Sequence, residues 1–160
     1  MQGIVKPAIL YKDIITQEMN KKLYTEDWFY YRETDTTPFS FPESKNGRVD
    51  WAFLDNHDRV VGYLCYYVDL IINSVNNFGL MGFVPNSVYI GAGLNLIMEK
   101  LVSQYHRIEW GMIGGNPIER HYDKFVQKYH GRKIELRDTV KDFNGKYRNS
   151  YIYEIINSEV

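Results

Sequence analysis

"GGNPIERHYDKF", residues 114–125, decides how the rest of the chain is read. After the Gly114-Gly115 pair, Asn116 offers a side-chain oxygen to an orphan helix amide. Pro117 suits a first helical position, and Glu119 stands where a capping box places its acid. Ile118, Tyr122, Phe125, Val126 and Tyr129 then fall on one helical stripe, and Gly131 supplies a stop. The stripe turns Tyr122 inward. Two readings of that tyrosine stand side by side: a packing residue, as most such stripes are, or a proton donor at a strand end with a bent helix entry.

Working outward, "RIEWGMI" (107–113) is a short strand before this helix, and Leu94, Ile97, Met98, Leu101, Val102 and Tyr105 form a helical stripe from Gly93. "DWAFLD" and "VVGYLCYYVD" flank "NHDR" as a hairpin. "SVNNFGLMGFV" is a further strand in which Gly79 and Gly82 mark a bulge or a close backbone approach. Upstream, "IVKPAILY" (4–11) predicts an edge or bulged strand, because Pro7 cannot donate to a ladder. Asp13 opens a helix to about Leu23, a second helix starts at Thr25 and runs into "WFYYRE", and residues 34–48 read as a long loop. Beyond Gly131, two strands join around Asn144-Gly145. The order is strand, helices, three strands, helix, strand, helix, hairpin. Its natural packing is a mixed sheet with helices on both faces.

The whole chain, residues 1–160, suits one domain. A net charge of −1 without basic or acidic blocks disfavours nucleic acid and anionic membrane as partners. Cys65 is the single cysteine, which rules out an intrachain disulfide and argues against a cysteine-based zinc site; no metal is expected. The N-terminal stretch has no signal-peptide core. The most apolar run, "VVGYLCYYVDLII", contains Asp69 and is too short to cross a bilayer, so the expectation is a soluble cytoplasmic protein.

"NPIERHYDKF" resembles the Asn-Pro-x-x-x-x-Tyr signature of the GNAT superfamily of N-acetyltransferases. "FVPNSVYIGAGLNLIMEKL" is similar to that family's Val-x-Pro…Arg/Gln-x-x-Gly-x-Gly/Ala motif, with Gly91 and Gly93 at the glycine positions and Val88 where an Arg or Gln is usual. "KYHG" stands where Gly-Phe is usual, and "DRVVGYLCYY" looks like the family's second-to-third strand hairpin. The resemblance implies an α/β (α+β) fold with a mostly antiparallel central sheet, helices on both faces and a splay between strands 4 and 5. It also implies transfer of an acyl group from acetyl-CoA to an amine, small molecule or peptide. A catalytically silent relative that kept the fold as a binding module is the alternative. A homodimer stays open.

The same resemblance implies a cofactor site on Phe83, Val84, Val88, Gly91, Ala92, Gly93, Asn116 and Tyr122. The Gly91-Ala92-Gly93 turn would cradle the pyrophosphate at a helix start, and an amide around Met81 to Phe83 would stabilise the oxyanion. Tyr122 would be the general acid and Asn116 would hold a carbonyl or water at the splay. Glu109 is the base candidate, with Asp69 beside it; both also read as ordinary solvated carboxylates. His57 and His121 read as surface residues, and Cys65 as packing rather than an acyl-carrying nucleophile. The aromatic loop from Trp28 to Phe41 would wall the acceptor side.

Overall fold

The computed structural model describes residues 4–22, 25, 38–43, 46–142 and 144–160. Strand β1 (Ile4–Pro7) stops at its proline, and the chain coils through a 3-10 turn (Ala8–Tyr11) into α1 (Lys12–Lys22). The sequence predicts a strand through Tyr11; it ends at Pro7 because the ring removes the ladder donor and Ala8 is buried beneath the turn. The helix expected from Thr25 lies outside the described residues. Next come β2 (Arg48–Leu54), β3 (Val60–Asp69) and β4 (Ser74–Gly82), then α2 (Val88–Gln104), β5 (Arg107–Ile113), α3 (Glu119–Lys128), β6 (Arg132–Lys141) and β7 (Tyr147–Ile156).

The seven strands form one sheet in the order β1-β2-β3-β4-β5-β7-β6. Every pairing is antiparallel except β4 with β5. Alternation along β2 assigns the two faces: Phe53 belongs to the core under α2 and α3, whereas Ala52 and Leu54 belong to the core under α1. The larger core stacks Leu94, Met98 and Leu101 of α2 on Leu64, Val75 and Ile108. The smaller one places Ile15 and Met19 of α1 over Tyr63, Met81 and Phe83. Helices thus cover both faces, as the element order implies.

Two details bear on the site. The bulge in β4 falls at Asn77-Phe78, where two residues oppose Tyr66 alone, and Asn77 takes a positive φ of 50°. An asparagine tolerates that conformation, so the kink precedes Gly79 instead of sitting on it. Second, α2 starts at Val88, five residues before the position from which its stripe is legible, so Gly91, Ala92 and Gly93 are helical. Gly93 is a packing glycine: a Cβ there would lie 2.5 Å from the Phe53 ring and 3.0 Å from Val5. Phe53 is itself buried and has nowhere to go.

Replacing Gly93 by alanine therefore costs stability although alanine is the better helix former. About 1–2 kcal/mol of net destabilisation is expected in denaturant unfolding, overpacking outweighing helix preference.

Candidate active site

Parallel pairing of β4 with β5 runs from Ser74–Arg107 through Val75–Ile108 to Phe78–Trp110 and ends there. Beyond that point the strands diverge. The gap opens into a cavity of about 920 Å³, lined by Phe78 to Gly82 on one side, Gly111 and Met112 on the other, and the start of α2 and of α3. Lys22, the last residue of α1, reaches it as well.

The ladder between β3 and β4 decides which backbone groups face the gap. Phe83 N–H bonds to the Val61 carbonyl at 2.9 Å, and Tyr63 pairs with Met81. Alternation then turns the Met81 and Phe83 amides toward β3 and those of Leu80 and Gly82 toward the cleft. Of the amides expected around Met81 to Phe83, Gly82 is the one so directed. Leu80 joins it.

At the mouth, Ser87 is the extended residue before α2, and the first helical bond runs from Gly91 N–H to the Ser87 carbonyl at 3.5 Å. The amides of Val88, Tyr89 and Ile90 have no acceptor within the helix. The Ser87 hydroxyl is buried and has no hydrogen-bond partner among the described residues. Ser87, Val88 and Ile90 line the cavity, so the positive end of the helix dipole stands at its mouth.

Tyr122 enters from α3. Gly115 at φ +88° reverses the chain after β5, a conformation that favours glycine. Asn116 then accepts from the Ile118 amide through its side chain at 3.1 Å and from the Glu119 amide through its carbonyl at 3.0 Å. Asn116 thus closes a tight turn and α3 proper begins at Glu119, two residues later than the Asn-Pro pair predicts. The Tyr122 ring packs edge-on against Trp110 and Tyr153, which stack on each other with centroids 5.3 Å apart. Burial raises the Tyr122 phenol well above its ordinary pKa, so it stays a neutral O–H donor. Among the described residues its hydroxyl has no partner, and it lines the cavity.

Val84, Val88, Gly91, Ala92, Asn116 and Tyr122 all meet at this cavity. Phe83 and Gly93 do not; the first packs beneath α1 and the second against Phe53. Glu109 is also elsewhere. It stands opposite Glu154 where the sheet is still closed, and both carboxylates share Arg107, with Arg132 completing the cluster around Glu154. Asp69 is spent on the β3–β4 turn, accepting from the Ile71 and Ile72 amides. Cys65 is mostly shielded beside Gly79, and burial pushes its thiol up, as suits packing. The sequence reading missed Ser87, Lys22 and the placement of His121, which is half-buried in the cavity wall. The signal for Ser87 was its N-cap chemistry; that for His121 was its spacing three residues after Ile118. Among the described residues no carboxylate lines the cavity, and no helix is long and apolar enough to cross a membrane.

The chain shares its architecture with solved structures. A GCN5-related N-acetyltransferase from Kribbella flavida superposes with a TM-score of 0.69 at 12% identity, over 96% of this chain and 97% of that one. A spermidine N-acetyltransferase from Vibrio cholerae, in complex with CoA and spermine, matches at a TM-score of 0.56 and 16% identity, over 71% and 68%. No protein-family model and no curated protein sequence matches the chain. The protein has the GNAT fold, in a sequence far diverged from these neighbours.

Hydrogen exchange tests the ladder assignment. The Met81 and Phe83 amides should be protected and those of Leu80 and Gly82 should exchange freely in the unliganded chain; equal protection at all four would mean a closed sheet.

Proposed function

We propose that the chain is an N-acyltransferase that takes its acyl group from acetyl-CoA and delivers it to an amine. The observation that carries this reading is the coincidence of three features in one cavity: a parted sheet with unpaired backbone, a helix start with unsatisfied donors, and a neutral tyrosine hydroxyl. A parted sheet suits an extended amide-bearing arm such as pantetheine, which can pair with Leu80 and Gly82 as a strand would. The Val88 to Ile90 amides and the Ser87 hydroxyl suit a diphosphate. The spermidine N-acetyltransferase neighbour is described with CoA and spermine, which supports CoA as donor and an amine as acceptor.

The thioester supplies an activated acyl group; this chain's residues do the rest. Cleft-facing amides of β4 stand ready to stabilise charge growing on an acyl oxygen, a contribution of about 3 kcal/mol where one such donor is removed. Tyr122, held neutral by burial, donates its hydrogen bond to the departing sulfur and relays a proton to it, regaining one from the medium so that no tyrosinate is left behind. Among the described residues the lining holds no carboxylate, and its imidazole, His121, lies over Gly91 at the helix start, so proton removal from the amine falls to water. A second reading, a silent relative that binds without turnover, draws on Val88 standing where an Arg or Gln side chain is usual.

Two measurements separate the readings. Acetyl-CoA at one hundred times its dissociation constant should stabilise the chain by about 2.7 kcal/mol in thermal unfolding. No shift at millimolar concentration would remove the acyl-CoA site. With an amine found by screening thiol release, Tyr122→Phe should lower kcat by about 10²-fold or more with KM for acetyl-CoA little changed. Full activity in that variant would remove Tyr122 as the acid.

A further inference from the structure

Val88 brings no donor to the phosphate end of the cavity, yet an imidazole faces that end from the opposite wall. His121 lies on α3 directly over the first turn of α2: its Cε1 and Nε2 sit 3.3 Å from where a Cβ on Gly91 would be. Any side chain at 91 would press on the ring. Among the described residues neither ring nitrogen has a hydrogen-bond partner, and the ring's other neighbour is the edge of Phe125. Lys124, one turn on, shares this side of the helix and is exposed.

Charge on α3 is sorted by face. Its acids, Glu119 and Asp123, turn to β6 and are held by Lys133 at 2.6 and 3.0 Å. His121 and Lys124 turn the other way, as does Lys128, which is already paired with Glu99 of α2. The charged groups of α3 on or beside this face are Lys124, which acts on the imidazole directly, and the exposed Arg120 next to it in sequence; Lys22 is the other cation of the cavity lining, and the α2 residues there, Val88, Ile90, Gly91, Ala92 and Asn95, carry no charge. Nothing in this set would hold an imidazolium in place before an anion arrives.

We infer that His121, assisted by Lys124, is the side-chain half of the phosphate cradle and takes up a proton as the cofactor's diphosphate binds. This rests on the acyl-CoA reading and goes beyond it by coupling occupancy to pH. In the free chain, burial and then Lys124 hold the imidazole below its ordinary pKa, so it is neutral at neutral pH. An anion seated between the imidazole, Lys124 and the α2 amides reverses both effects. Affinity must then rise as pH falls through the interval between the free and bound values, and be flat above it.

The test is titration calorimetry of the intact chain with coenzyme A from about pH 5.5 to about pH 8, in buffers of differing ionisation heat. 3′-Dephospho-coenzyme A is run alongside, so that titration of the terminal phosphate drops out. The wild-type chain should bind about tenfold more tightly at the acid end and absorb a fraction of a proton. His121→Gln should bind with no such slope. Lys124→Gln should bind with less proton uptake, because its free imidazole is already partly charged. Binding that is equally tight across the range, or a slope kept in His121→Gln, overturns the inference while leaving the acyl-CoA site standing. No binding at any pH removes both.

Discussion

A sheet that stops pairing in its own middle leaves backbone N–H and C=O groups without partners, and the rest of this structure answers to that. Buried main-chain groups are almost always satisfied, so strands that part after Phe78 and Trp110 must end at water or at a ligand. The bulge at Asn77 starts the divergence, and the aromatic pile of Phe78, Trp110, Tyr153 and Tyr122 fills the apex where it begins. Those large rings let the strands separate on one side without leaving a void on the other. Among the described residues the buried Trp110 indole N–H has no acceptor, a cost the apex tolerates.

Electrostatics follows the same geometry. The strong charge pairs sit away from the gap: Arg107 with Glu109 and Glu154 at the closed end of β5, Lys133 with the acids of α3, and Arg48 with Asp50 on β2. The opening itself keeps a helix dipole, a hydroxyl, an imidazole and the Lys22 ammonium, a set that favours anions throughout. At the α2 entrance the positive character comes from backbone and dipole, since Val88 carries no charge.

How far the sequence displays all this depends on whether the signal is local. β5 and the β2–β3 hairpin are legible to within a residue or two, since alternation and turn residues mark them directly. Tyr122 is legible as inward-facing because the α3 stripe is regular. The start of α2 is hidden: Gly91 and Gly93 are poor helix formers that imitate a loop, and their reason to be there, clearance for His121 and Phe53, lies in other elements. Glu109 illustrates the opposite failure. A lone acid on a strand beside the opening invites a catalytic reading, and only the register with Glu154 and the reach of Arg107 reveal an ion pair. Ser87 was visible as a cap residue, yet a cap whose hydroxyl makes no cap bond is a tertiary fact.

Beneath α1 one asparagine carries an architectural task. Asn20 donates to the Phe39 carbonyl at 2.9 Å and accepts from the Phe39 amide at 2.7 Å, so a single side chain replaces a neighbouring strand for that residue. Phe39 and Phe41 then rest on Tyr63. Phe39 is thereby fastened to the last turns of α1. Removing the Asn20 side-chain amide would leave the Phe39 main chain to find both partners in water and would loosen the aromatic cover over Tyr63.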